Sequence, residues 1–146
     1  NDRIVKLHFD TKAGGTTNAI WGGATLHANC SADYSIAFKT VDNSVSFNNG
    51  GTGSWTTQTP GVGELTFNKS TVNNLIEFKI KRTLIEATTS FKFAMFVGQD
   101  WSPFHVGLGL PEGSFTDADG SVTFTKYMEF DLTSESDPIT QSPIKP

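Results

Sequence analysis

The sequence predicts an all-β fold, two antiparallel sheets packed as a sandwich, and three observations carry that prediction. Short runs alternate apolar and polar residues with a period of two, most clearly in Ile76-Glu77-Phe78-Lys79-Ile80-Lys81. The 14 glycines gather between such runs, where a chain that reverses every few residues needs them. No segment carries the 3.6-residue apolar period of a long helix. With 36% hydrophobic residues but 12 phenylalanines, the core must lean on aromatic rings borne by short strands.

Ile4-Val5-Lys6-Leu7-His8-Phe9 is nearly unbroken in its apolar content and predicts a central strand covered on both sides. Turn formers from Asp10 to Asn18 begin a long loop that runs through Trp21-Gly22-Gly23 to Cys30. Tyr34, Ile36 and Phe38 then share the core face of a strand, and Asp42-Asn43 turns it into Val45-Ser46-Phe47 to complete a hairpin over 33–48. Trp55 follows on a short edge segment. After Pro60-Gly61-Val62-Gly63 come Glu64-Leu65-Thr66-Phe67 and the 76–81 strand, in which a one-residue slip would bury three charges. Residues 82–90 predict one helical turn setting Leu84 and Ile85 against the sheet, before Phe91 to Val97 resumes as a strand. Gly98 to Asp119 reads as a second long loop. Ser121 to Leu132 reads as the last strand, with Lys126 interrupting its apolar row. The domain thus spans 1–132, and the Ser- and Pro-rich 133–146 reads as a linker-like tail.

The 146 residues suffice for one domain with a real core. A formal charge of -4 gives no general attraction to phosphate backbones, so nucleic acid is an unlikely partner on charge alone. No apolar run reaches the length needed for membrane insertion. Cys30 is the single cysteine, which excludes an intrachain disulfide and CxxC chemistry, and it is expected to be buried. A chain beginning at Asn1 is expected to be a processed, secreted protein or an excised domain.

The usual catalytic sets lack parts, and no enzyme is predicted. His8, His27 and His105 show no HxH or HExxH spacing, there is no GxSxG elbow, and Gly107-Leu108-Gly109 lacks the partners of a phosphate loop. Hard cations need several loop oxygens. Asp117-Ala118-Asp119-Gly120 is the first candidate for calcium, and Asp10 with its loop carbonyls and Asp33 is the second. Trp21, Trp55 and Trp101 stand beside turns rather than in the alternating core rows, where flat rings can stack on the C–H faces of sugars or cap the ends of a sandwich core.

The order of these pieces resembles the jelly-roll domains related to family 9 carbohydrate-binding modules of secreted bacterial proteins. Phe9-Asp10-Thr11-Lys12-Ala13-Gly14-Gly15 looks like that family's strand, Asp and glycine loop, and Ala32 to Phe38 looks like the strand that follows. Ile76 to Ile80, the Leu84 turn and Phe91 to Val97 look like its late strand pair, so the resemblance covers about residues 3–132. It implies a non-catalytic extracellular or cell-surface module, often with structural calcium, whose sugar-binding members clamp a glycan between two tryptophans; Trp55 and Trp101 would form that clamp. The alternative is a structural module of a surface adhesin, layer or filament, meeting neighbouring domains or copies of itself by β-strand addition.

Overall fold

In chain order the strands are β1 (Arg3–Asp10), β2 (Ala24–Thr25), β3 (Tyr34–Lys39), β4 (Val45–Asn49), β5 (Thr56–Gln58), β6 (Leu65–Ser70) and β7 (Leu75–Ile80). They continue with β8 (Ser90–Gln99), β9 (His105–Leu110), β10 (Ala118–Asp119), β11 (Val122–Thr123), β12 (Tyr127–Asp131) and β13 (Ile144–Lys145). The computed structural model describes residues 3–70, 72, 75–99, 105–112, 118–119, 121–133 and 144–145.

The expected central strand is central. β1 lies antiparallel to β3 on one side and β8 on the other, with His8 opposite both Ser35 and Ala94. The sheet extends through β4 to β5 at one edge and through β9 to β10 at the other, while β12 joins the first half of β8 and carries β13. Two strand pairs lie outside it: β6 with β7, antiparallel, and β2 with β11, parallel.

Period-two geometry sends successive β1 side chains to opposite faces, and each face is buried. Leu7 and Phe9 join Tyr34, Ile36 and Phe47 in a core covered by the β6–β7 pair and by Leu84, Ile85 and Ala87. On the other face Ala94 and Phe96 meet Ala19, Leu26, Val122 and Phe124, while Ile4 and Ala37 meet Ile20. Lys6, His8, Ser35 and Asn48 are sealed on this second face with almost no exposure. Burial of polar groups requires partners. The Lys6 ammonium donates to the Gly22 carbonyl at 3.0 Å and sits 5.2 Å from the centre of the Phe96 ring. His8 Nε2 accepts from the Ile20 N–H at 3.2 Å, and the imidazole stacks on Phe96 at 5.7 Å.

Several expectations need correction. The stretch 98–119 is not all loop: β9 pairs with β8, and Gly107 and Gly109 hide the strand by leaving alternate positions without side chains. Residues 121–132 do not form one strand. Val122 and Phe124 pack in the second-face core, whereas Phe130 stacks on Phe91, 5.0 Å away; Phe91 packs against the opposite core. The row therefore changes faces around Lys126, the residue that interrupts it in sequence. The segment after β7 is a turn rather than a helix, closed by Leu84 N–H to Lys81 O and Ala87 N–H to Arg82 O, both 3.0 Å, though Leu84 and Ile85 do pack on the sheet as expected. Cys30 is buried, which pushes its thiol up to about 12. Among the described residues no helix is long and apolar enough to cross a membrane.

Ile36 has no exposure, so Ile36→Ala should lower unfolding free energy by about 2–5 kcal/mol in urea titrations. Burial, aided by the Lys6 charge, lowers the pKa of His8 from 6.5 to about 3. The unfolded chain therefore binds a proton that the folded chain refuses, and stability should fall as pH drops from 6.5 towards 3. Asp10, whose carboxyl is raised by burial, works in the opposite sense just above its ordinary value. The difference between the unmodified chain and His8→Gln, which can still accept from Ile20, isolates the histidine slope.

Candidate functional site

Two places gather unused polar chemistry: the Asp10–Asp33 end of the central strands, and a groove beside β5. The first follows from register. Phe9 faces Tyr34 across β1 and β3, so Asp10 and Asp33 come to the same end of the pair. The Asp33 N–H donates to Phe9 O at 2.8 Å, and its carbonyl accepts from Gly50 N–H at 2.7 Å, tying three chain segments together. Its Oδ2 accepts from the N–H groups of Thr11 and Lys12 at 2.9 and 3.0 Å. Asp10 Oδ2 accepts from Ser31 N–H at 3.1 Å and faces the Lys92 ammonium at 3.4 Å. That ammonium also donates to Asn29 O, so Lys92 staples the loop after β2 to β8. Burial raises the Asp10 carboxyl above its usual range, opposed chiefly by Lys92.

The groove exists because the cover over the first face is only two strands wide. Its volume is 590 Å³, between the β4–β5 edge of the sheet and β6, and the turn after Pro60 closes one end. Gln58, which shares the face of Phe47, offers its amide, Phe47, Val62 and Phe67 present apolar surface, and among the described residues no charged side chain lines it. The walls are braced. Glu64 Oε2 accepts from Gly61 N–H at 2.7 Å, fixing the turn, and Asn48 Oδ1 accepts from the hydroxyls of Ser46 and Thr57 at 3.1 and 3.0 Å. Phe67 rests against Phe38 with ring centres 5.4 Å apart.

The three tryptophans meet different fates. Trp55 is half-buried: its indole N–H donates to Asn18 O at 2.8 Å, its ring stands edge-on to His8 at 5.9 Å, and it packs against both clusters of the second face. It clasps the 13–32 loop to the sheet instead of standing clear as a stacking platform. Trp21 exposes 49% of its surface at a turn with φ 54°, and the Lys39 ammonium lies 5.5 Å from its ring centre. Trp101 and Asp117 fall outside the described residues, and Asp119 lies in β10 opposite His105. The structure thus brings Asp10 and Asp33 together, whereas of the expected Trp55–Trp101 clamp only Trp55 lies among the described residues.

Sequence reasoning missed the groove. Its signal was the charge-free Thr56-Thr57-Gln58-Thr59 run, which reads as an unremarkable edge until β6 is folded over beside it. Among the described residues no three His, Cys, Asp or Glu side chains converge. Comparison with protein-family models, with curated proteins and with solved structures returns no match.

A Cβ on Gly50 would fall 2.8 Å from the Trp55 ring, closer than packed atoms allow. Gly50→Ala should therefore destabilise by about 1–3 kcal/mol. That cost should shrink in a Trp55→Ala background, a coupling that a double-mutant cycle by chemical denaturation measures directly.

Proposed function

We propose that this chain is a non-catalytic extracellular carbohydrate-binding module of jelly-roll type, and that its glycan lies in the groove between the β4–β5 edge and β6. The observation that carries this reading is the groove's lining: the Gln58 amide beside the apolar surface of Phe47, Val62 and Phe67, with no charged side chain among the described residues. Sugar rings offer the complementary pattern. Their hydroxyls exchange hydrogen bonds with an amide such as that of Gln58, while their C–H faces rest on surfaces such as Phe67 and Val62. An uncharged wall also spares the site the desolvation of an ionised group. The resemblance to family 9 carbohydrate-binding modules, which implied Trp55 and Trp101 as a clamp, points to the same class of ligand; the exposed Trp21 is a further platform, and Trp55 acts through the fold.

The substrate class is a neutral polysaccharide. Affinity electrophoresis through gels containing a panel of neutral and acidic polysaccharides should retard the chain in at least one neutral gel. Gln58→Ala, on a fully exposed strand, should weaken that binding about tenfold, the loss of roughly 1.4 kcal/mol, while leaving stability unchanged. Failure to bind any neutral polysaccharide contradicts the reading.

A second reading, an assembly module of a surface layer or adhesin, is favoured by one feature. β5 pairs only with β4, and its residues are all exposed, so its outer edge is open to strand addition among the described residues. Concentration-dependent association in sedimentation, abolished by Thr57→Pro, would support it over the glycan reading.

A further inference from the structure

We propose that the first face of the sheet, where it runs on past β7, docks an extended partner segment that is apolar at alternate positions and acidic between them. The carrying observation is an apolar strip that the fold leaves open. β6 borders the groove on the β4–β5 side, so its partner β7 lies toward β1 and β8, with Phe78 and Ile80 in the same core as Leu7 and Met95. Beyond β7, toward β9, no described strand continues the cover. Register sets Val5 opposite Val97, Val97 opposite Leu108 and Met95 opposite Leu110, so these side chains share the face of Leu7. Val5, Met95 and Val97 are half-buried, while Leu108 and Leu110 are 56% and 36% exposed. One exposed leucine is ordinary, but an apolar row continuous with a core marks an interaction surface.

An open strand edge runs beside the strip. β7 pairs only with β6 among the described residues, so its other edge offers backbone N–H and C=O groups to a segment lying over Val97 and Leu108. A strand added there sends alternate side chains down onto the strip and the others outward, next to the outward row of β7. Backbone edge and apolar floor together select an extended chain.

The charges around the strip select its polar side chains. Lys79, Lys81 and Arg82 are exposed along β7 and just after it, and Arg3 lines a 220 Å³ pocket with Val97, Gly98, Gly107 and Leu108 at one end of the strip. Among the described residues no carboxylate pairs with any of these cations. Lys79 stands across from Thr66 on β6, which cannot neutralise it, and Glu77 in the same outward row stands across from Asn68. Glu112 follows β9 at the end away from Arg3. Aspartate or glutamate at the outward positions of an added strand would meet Lys79, and one beside Leu108 would meet Arg3. A basic segment would meet like charge at the same places.

A fluorescein-labelled peptide, Asp-Val-Asp-Val-Asp-Val-Asp, should bind the full chain saturably in fluorescence anisotropy, with Kd below about 1 mM. Its Lys-for-Asp counterpart should bind about tenfold more weakly or worse. Leu108→Ser, at an exposed position, and Arg3→Gln should each weaken binding of the acidic peptide about tenfold; if Leu108→Ser does not fold, Leu110→Ser takes its place. A nitroxide on the peptide should broaden the amide signals of β7 and β9 and spare those of β5. No saturable binding, equal binding of the lysine peptide, unchanged affinity in either variant, or broadening confined to β5 would overturn the proposal. The strip shares no residue with the groove, so Gln58→Ala should leave peptide binding unchanged, and the proposal stands or falls apart from glycan binding.

Discussion

With Lys6 and His8 on one face of β1 and Leu7 and Phe9 on the other all withdrawn from water, this chain must supply a cover for each side of its sheet. The two covers are built differently. The apolar face takes a regular strand pair and a tight turn, because Leu, Ile and Phe side chains ask only for apolar neighbours. The polar face takes the irregular 13–32 loop, whose free carbonyl and N–H groups can meet what a regular strand pair could not: Gly22 O receives Lys6, and Ile20 N–H reaches His8. Trp55 fastens that loop by bonding Asn18 O and lying across His8. The long loop is a structural lid over the buried Lys6 and His8.

The candidate sites are consequences of the same division. Because the apolar face is covered by two strands while the sheet beneath continues to β5, a strip over Phe47 and Gln58 is left for a groove. Because β1 ends and β3 begins at the same level, Asp10 and Asp33 meet where the lid loop departs, and Asp33 is spent on holding that departure through Thr11 and Lys12.

Much of the fold was legible in the sequence wherever side-chain alternation was complete. The strands over 34–39 and 75–80 follow their periods, with Glu77 and Lys79 facing water as the alternation requires, and the nearly unbroken apolar run in 3–10 marks a strand covered on both sides. Legibility failed where side chains carry no signal. Gly107 and Gly109 erased β9, and the face change around Lys126 cannot be seen in a row of apolar residues that keeps its spacing. Asp10 and Asp33 could be paired from sequence because strand order places them together. The groove could not, since it joins residues from β4, β5 and β6 whose proximity depends on how one sheet lies over another. Trp55 illustrates the same limit: beside a turn in sequence, it is a wedge in three dimensions.

Amide chemical-shift mapping by NMR during titration with soluble neutral oligosaccharides tests most directly the proposal that an uncharged glycan occupies the groove beside β5. Shifts concentrated at Ser46, Thr57 to Val62 and Phe67 are the predicted result; shifts absent from these residues at saturating sugar, or confined to the Trp21 turn, would contradict it.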